Sequence, residues 1–293
     1  MKLAPRCLFI ALLFTATTAR ATITVVDDSG ASVTLNVPAR RIVTLAPHAT
    51  ELVYAAGAGA AIVGVIKGSD FPADARTRPV VGDATALDLE RIVVLAPDLI
   101  VTWPWTTPAQ AERLRARGIA VFEADPREIG GIADDVERIG TLAGTQEAAQ
   151  ASASSLRARL ASLDSSRNAD PPLTVFYQVS DVPLFTLGGQ HLVSKAITEC
   201  GGRNVFSALT LPAPQVSMEA VLAANPQVII AGTNGAARPA WLDAWRAWPS
   251  MDAVRRGALY VVDANLLHRP GPRFIDGIAQ LCDALAEARR KRR

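Results

Sequence analysis

Leu89-Glu-Arg-Ile-Val-Val-Leu-Ala-Pro-Asp-Leu-Ile-Val101 and Met218-Glu-Ala-Val-Leu-Ala-Ala-Asn-Pro-Gln-Val-Ile-Ile230 are two copies of one pattern. Glu90 aligns with Glu219, and Pro97 with Pro226. Each copy predicts a helix that begins on a carboxylate, stops before a proline and leads straight into a buried strand. An acidic side chain suits the positive end of a helix, and the residue before proline is pushed out of the α region. The match continues downstream. Arg117-Gly118 leads through Val121 and Phe122 to Asp125, and Arg256-Gly257 leads through Tyr260 and Val261 to Asp263. Both read as a helix end, a glycine cap and a further strand. Working outward, Arg41 to Leu45 and Asp98 to Thr102 read as strands, and Ala49 to Ala56 and Pro108 to Arg117 as helices. Short β-branched runs alternating with helices predict an α/β fold with parallel strands, here in two similar lobes.

Between the copies, Ile129, Ile132, Val136, Ile139 and Leu142, and later Leu156, Leu160 and Leu163, recur at helical spacing. Residues 128–163 therefore read as one long linking helix, weakest near Gly144-Thr145, where helix propensity is low. Ser165 to Pro172 reads as an exposed linker. This divides the chain into an N-terminal lobe over 22–127, the linking helix and a C-terminal lobe over 164–293. A helix joining two lobes leaves a cleft between them, where a ligand is expected.

The chain has 293 residues, 49% apolar and 20% charged, a composition of ordinary globular proteins. Lys2 and Arg6, the apolar run from Cys7 to Ala16 and Ala19-Arg20-Ala21 form the three parts of a secretory signal peptide over 1–21. The apolar run falls short of the roughly 18 residues a membrane span needs. Loss of Lys2, Arg6 and Arg20 with the leader leaves 27 basic against 28 acidic residues, so the formal charge of +2 becomes −1 and nucleic-acid binding is not indicated. Cys200 and Cys282 remain. In an oxidising compartment such a pair is more often a disulfide than two free thiols.

No nucleophile elbow, zinc motif, phosphate loop or dinucleotide fingerprint is present, so an enzyme is not expected. His48, His191 and His268 are far apart and show no paired spacing. His268, in a loop bordered by Pro and Gly after a strand, is the best candidate among them for an axial metal or haem ligand. Trp103 and Trp105 stand at a strand end between prolines, suited either to lining a pocket for a flat apolar ligand or to packing in the lobe core. Trp241, Trp245 and Trp248 recur at helical spacing and read as packing.

Four segments carry a family resemblance: Arg41-Ile-Val-Thr-Leu-Ala-Pro-His-Ala-Thr-Glu-Leu-Val-Tyr-Ala-Ala-Gly57, Leu89-Glu-Arg-Ile-Val93, Glu199-Cys-Gly-Gly-Arg-Asn-Val-Phe206 and Pro214-Gln-Val-Ser-Met-Glu219. With Arg269-Pro-Gly-Pro-Arg273 and Leu281-Cys-Asp-Ala-Leu285, they make the chain similar to the periplasmic cobalamin-binding proteins of ABC importers, which belong to the helical-backbone solute-binding proteins. The resemblance implies two α/β lobes on a rigid helix with limited hinge closure, a periplasmic monomer, and cobalamin or a related corrinoid as transported ligand, with no cofactor or metal. It implies a disulfide between Cys200 and Cys282. It also places Glu90 and Glu219 as the two carboxylates that dock on the permease. For the ligand it implies Gly68, Trp103 and the loop Asp263, Ala264, Asn265, Leu266, Leu267, His268 and Arg269. Where the family carries pocket aromatics, this chain has Gly68, Ala84, Val179 and Ala213, and Phe71, Trp105 or Tyr177 stand near enough in sequence to replace them. The smaller side chains keep a haem- or iron-siderophore-binding protein as the alternative, with His48 or His268 on haem iron.

Overall fold

A computed structural model describes residues 22–104, 108–163, 171–235 and 237–291. The expected leader over 1–21, Trp105 and residues 165–170 of the expected linker lie outside the described residues.

The N-terminal lobe opens with a hairpin of β1 (Ile23–Val26) and β2 (Ser32–Leu35). Then follow β3 (Ile42–Thr44), α1 (Pro47–Ala55), β4 (Ile62–Val65), α2 (Leu89–Val94), β5 (Leu99–Thr102), α3 (Pro108–Arg115) and β6 (Ala120–Glu123). Its parallel sheet has the order β4-β3-β5-β6. Two helices follow, α4 (Gly131–Ala143) and α5 (Gln146–Ser162). The C-terminal lobe contains β7 (Leu173–Gln178), β8 (Ser180–Asp181), β9 (Leu184–Phe185), α6 (Leu192–Glu199), β10 (Gly202–Asn204), α7 (Met218–Ala224) and β11 (Val228–Thr233). It continues with α8 (Ala240–Asp243), α9 (Asp252–Arg255), β12 (Leu259–Asp263), α10 (Ala264–Leu267) and α11 (Phe274–Arg290). Its parallel sheet has the order β10-β7-β11-β12.

The repeat is reproduced down to its caps. The Asp88 side chain accepts the Arg91 N–H at 2.9 Å at the start of α2, and the Ser217 hydroxyl accepts the Ala220 N–H at 3.2 Å at the start of α7. Ala96 and Asn225, each immediately before its proline, have positive φ of 44° and 39°. Gly118 and Gly257 also have positive φ, which turns the chain from helix into β6 and β12. Those strands pair in parallel with β5 and β11.

Strand residues alternate between two apolar layers, as a period of two requires. Ile42, Leu99, Val101, Val228 and Ile230 face one continuous core that also takes in Leu52, Ile132, Ile139, Leu156, Val193 and Ile278. Val43 and Ile100 face a separate outer cluster in the N-terminal lobe, and Ile229 and Ala231 another in the C-terminal lobe. Trp245 is buried in that last cluster, its indole N–H donating to Gln178 Oε1 at 2.7 Å, in keeping with a packing role. The central core thus spans both lobes and the helices between them.

The segment expected as one helix over 128–163 is a helical hairpin. Gly144 adopts a left-handed conformation between α4 and α5, and a Cβ on Gly140 would come within 2.2 Å of the Ala149 Cβ, so the two helices meet closely. Arg157 reaches back across the pair to Asp134 at 2.6 Å and Glu137 at 2.7 Å. α4 packs on α1 and β1 of the N-terminal lobe. α5 is the crossing element: Ala148 lies against Gly57, and Arg159 pairs with Asp276 on α11. The break falls at the low-propensity Gly-Thr pair, but the chain reverses there.

Cys200, at the end of α6, is bonded to Cys282 on α11, 82 residues away. Reduction, or Cys200→Ser with Cys282→Ser, is expected to lower unfolding stability by about 2–4 kcal/mol, read as an earlier urea midpoint. An unchanged midpoint would show that the bridge contributes nothing to stability.

Candidate ligand cleft

In open α/β sheets, ligands sit beyond the carboxyl ends of the strands. Here the two sheets bring such ends to a shared cleft of about 280 Å³. The N-terminal lobe contributes Trp103, just after β5, and Asp125, Pro126 and Arg127, just after β6. The C-terminal lobe contributes Gln190, His191 and Leu192 at the start of α6, Pro212 and Ala213 before α7, and Leu267, His268, Pro270 and Phe274 around α10 and the start of α11.

Trp103 is held by its neighbours. Its indole N–H donates to Asp125 Oδ1 at 3.0 Å, and its ring stands edge-to-face on His48 at 5.2 Å between centroids. Asp125 pairs with Arg127 at 3.0 Å, and its backbone N–H donates to Asp28 Oδ2 at 2.7 Å. Asp28 and the buried Asp135 share the Arg138 guanidinium, at 2.5 and 2.6 Å. Burial and the nearby Asp28 charge push the Asp135 carboxyl well above the usual carboxylate range.

The three histidines, unrelated in sequence, converge on the cleft. His191 and His268 line it, and His48 lies buried behind Trp103 with Nε2 3.4 Å from the Ala124 carbonyl. Burial lowers all three imidazoles to about 4, helped at His48 by the Arg269 charge and at His191 by His268. At neutral pH all three are uncharged. Tyr177 is fully buried beneath His268, and its hydroxyl lies 3.0 Å from His268 Nε2. That hydrogen bond engages His268 Nε2 on the side of the buried phenol.

Ion pairs from the C-terminal lobe to the N-terminal lobe and the linking segment accompany the cleft. Buried Glu51 on α1 takes a bidentate bond from Arg273, at 2.6 and 2.9 Å, and lies 3.7 Å from Arg269. Arg269 also donates to Asp70 at 2.6 Å. Lys195 on α6 pairs with Glu128. Pro270 and Phe274, beside the two arginines in sequence, face the cleft.

Of the ligand residues the resemblance implied, Trp103, Leu267 and His268 line the cleft. Gly68, Asp263, Ala264, Asn265, Leu266 and Arg269 lie outside that lining. Asp263 caps α10 by accepting the Asn265 N–H at 2.8 Å, Asn265 accepts from Arg269 at 3.1 Å, and Leu266 packs on Gly277. Among the positions where the family has aromatics, Ala213 lines the cleft, Gly68 and Ala84 are exposed, and Val179 packs on the core. Phe274 backs the cleft lining from the core and is almost fully buried, and Phe71 sits beneath the Arg273 guanidinium, 4.1 Å away. Asp125, Arg127, Gln190, His191, Pro270 and Phe274 were not singled out for the site. For Asp125 a signal existed, because the repeat sets it opposite Asp263. Glu90 and Glu219 are both exposed at equivalent helix starts. The backbone N–H at its own position and the Ser217 hydroxyl hold the Glu219 carboxyl below the usual range. Among the described residues no group of His, Cys, Asp and Glu is arranged to hold a metal, and no helix is long and apolar enough to cross a membrane.

Two sheets, a shared core and a cleft between lobes define a bilobal binding protein, and the chain belongs to the periplasmic binding protein family, whose model matches residues 42–266. It is 36% identical over 256 residues to the vitamin B12-binding protein of Vibrio cholerae, covering 87% of this chain and 92% of that one. It is also 36% identical to that of Photorhabdus laumondii, covering 84% and 87%. The crystal structure of the Vibrio cholerae vitamin B12-binding protein matches with a TM-score of 0.79, at 36% identity over 86% of this chain and 98% of that one. A periplasmic haem-binding protein from Roseiflexus, 24% identical over 85% of this chain and 98% of that one, shares the fold at a TM-score of 0.72.

The histidines set a pH dependence. Each titrates near 6.5 unfolded and about 4 folded, so between those values the unfolded chain binds more protons and stability falls as pH is lowered. Asp135 works in the opposite sense, one group against three. The melting temperature is expected to drop between pH 6.5 and 4, and more shallowly in His48→Gln, whose uncharged amide does not titrate in that range. Equal slopes in the two proteins would contradict the assignment.

Proposed function

We propose that the chain is a periplasmic protein, exported through the leader over 1–21, that captures cobalamin or a related corrinoid in the interlobe cleft and delivers it to the permease of an ABC importer. The observation that carries this reading is a strand-end tryptophan locked at the cleft by Asp125, in a chain similar over most of its length to vitamin B12-binding proteins. Trp103 offers apolar surface to a macrocycle, backed by the buried Leu267, Pro270 and Phe274, and Asp125, Arg127, Gln190, His191 and His268 offer polar groups to its amide edge. A corrinoid exceeds the enclosed volume, so its outer part stays at the open mouth. Glu90 and Glu219, one per lobe, present matched carboxylates to a two-fold permease. Capture requires no covalent step, and the protein acts as a monomer.

The haem reading draws on the imidazoles at the cleft. Coordination needs an open imidazole lone pair. At His268 the Nε2 atom is engaged by the Tyr177 hydroxyl at 3.0 Å, and at His191 the Nδ1 lone pair is taken by the Val193 N–H at 3.1 Å. His48 is closed off behind Trp103. These contacts favour an amide-rimmed corrinoid over histidine-ligated haem.

Calorimetric titration with cyanocobalamin is expected to give one-to-one binding, weakened about tenfold or more in Trp103→Ala by loss of aromatic contact worth about 1.5 kcal/mol. Haemin is expected to show no histidine-type Soret shift. Absence of cobalamin binding together with a Soret shift would overturn the reading in favour of haem.

A further inference from the structure

We propose that His191 is a ligand-contacting residue of the cleft, donating its Nε2–H to a carbonyl on the amide edge of the captured molecule. The inference rests on the corrinoid reading above and names a contact that reading does not require.

Local structure decides which nitrogen carries the proton. His191 is the N-cap of α6, and its Nδ1 accepts the Val193 N–H at 3.1 Å. An imidazole nitrogen that accepts from an amide is unprotonated, so in the neutral ring the hydrogen stands on Nε2. N-caps are usually Ser, Thr, Asp or Asn, which satisfy the same backbone N–H and stop there. A histidine cap is longer. With Nδ1 anchored to its own helix, the far edge of the ring extends away from the backbone, and His191 is among the residues that line the cleft. Among the described residues Nε2 has no protein partner, and it is not one of the buried polar atoms sealed from solvent. It is an open donor, fixed in direction by the cap and kept neutral by its surroundings.

A neutral donor of fixed direction suits an uncharged carbonyl. A cation would carry a desolvation cost in this mostly apolar cleft, and a flexible side chain would lose rotamer freedom on binding. Corrinoids carry amide side chains around the ring, and each amide offers a carbonyl acceptor. His191 faces the cleft from the C-terminal lobe and Trp103 from the N-terminal lobe, so the ring would meet an indole from one lobe and a hydrogen-bond donor from the other.

The test separates the cap from the contact. His191→Ser keeps an N-cap oxygen for the Val193 N–H but does not reach into the cleft. Its melting temperature is expected to match the parent, and its affinity for cyanocobalamin to fall about tenfold, the cost of leaving one ligand carbonyl unpaired. Long-range proton–nitrogen NMR of histidine-labelled protein, which has only three histidines to assign, is expected to place the His191 proton on Nε2. A proton on Nδ1, or a serine variant that binds as tightly as a binding-competent parent, overturns the inference alone. If the parent itself does not bind cyanocobalamin, the corrinoid reading fails and takes the inference with it.

Discussion

The Glu51 carboxylate is buried on α1 and held from the opposite lobe by the Arg273 guanidinium, with Arg269 beside it. Much of the cleft depends on that arrangement. A buried carboxylate without its partners is expensive, and removing one side of such a pair typically costs about 3–5 kcal/mol, so the lobes stay where the two arginines meet Glu51 and Asp70. Pro270, between those arginines, is among the residues that line the cleft. Charges balance within the group, two arginines against two carboxylates, which lets it sit at a lobe boundary without a net charge to solvate. The continuous core through α4 and α5 adds a second restraint. Together they give a binding protein whose cleft is largely built before the ligand arrives, which lowers the ordering cost of binding.

Inside that frame the polar groups are arranged by donors and acceptors rather than by net charge. Trp103 spends its N–H on Asp125, leaving the indole faces for contact. Tyr177 occupies one nitrogen of His268 and the α6 backbone one nitrogen of His191. Burial keeps both rings neutral, so they act as hydrogen-bonding groups rather than as cations. The cleft therefore combines apolar contact from both lobes with a few fixed polar atoms, the pattern of a site for a large, mostly uncharged organic ligand.

Much of this was legible in the sequence, for reasons that particular residues show. Pro97 and Pro226, with Gly118 and Gly257, punctuate the chain so strongly that the two similar lobes and their helix-to-strand turns follow from local chemistry. The linking segment was harder. A hairpin keeps its apolar stripe on both helices, so the spacing of Ile132 through Leu160 looks the same whether the chain reverses at Gly144 or continues. Trp103 announced itself at a strand end, whereas His191 and Phe274 reach the cleft only because the lobes pack as they do. The resemblance implies Arg269 as a ligand contact, and in the fold it also donates to Asp70, 199 residues away in the chain. No local pattern encodes a pairing at that distance, and charge alone does not tell a ligand contact from a lobe clasp.

The most direct measurement is a crystal structure of the mature protein with cyanocobalamin. The account predicts the corrin between the lobes with one surface on Trp103, an amide carbonyl within hydrogen-bond distance of His191 Nε2, and the Glu51–Arg273 and Asp70–Arg269 pairs intact. A corrin bound elsewhere, or lobes that separate at those ion pairs to admit it, would contradict the account.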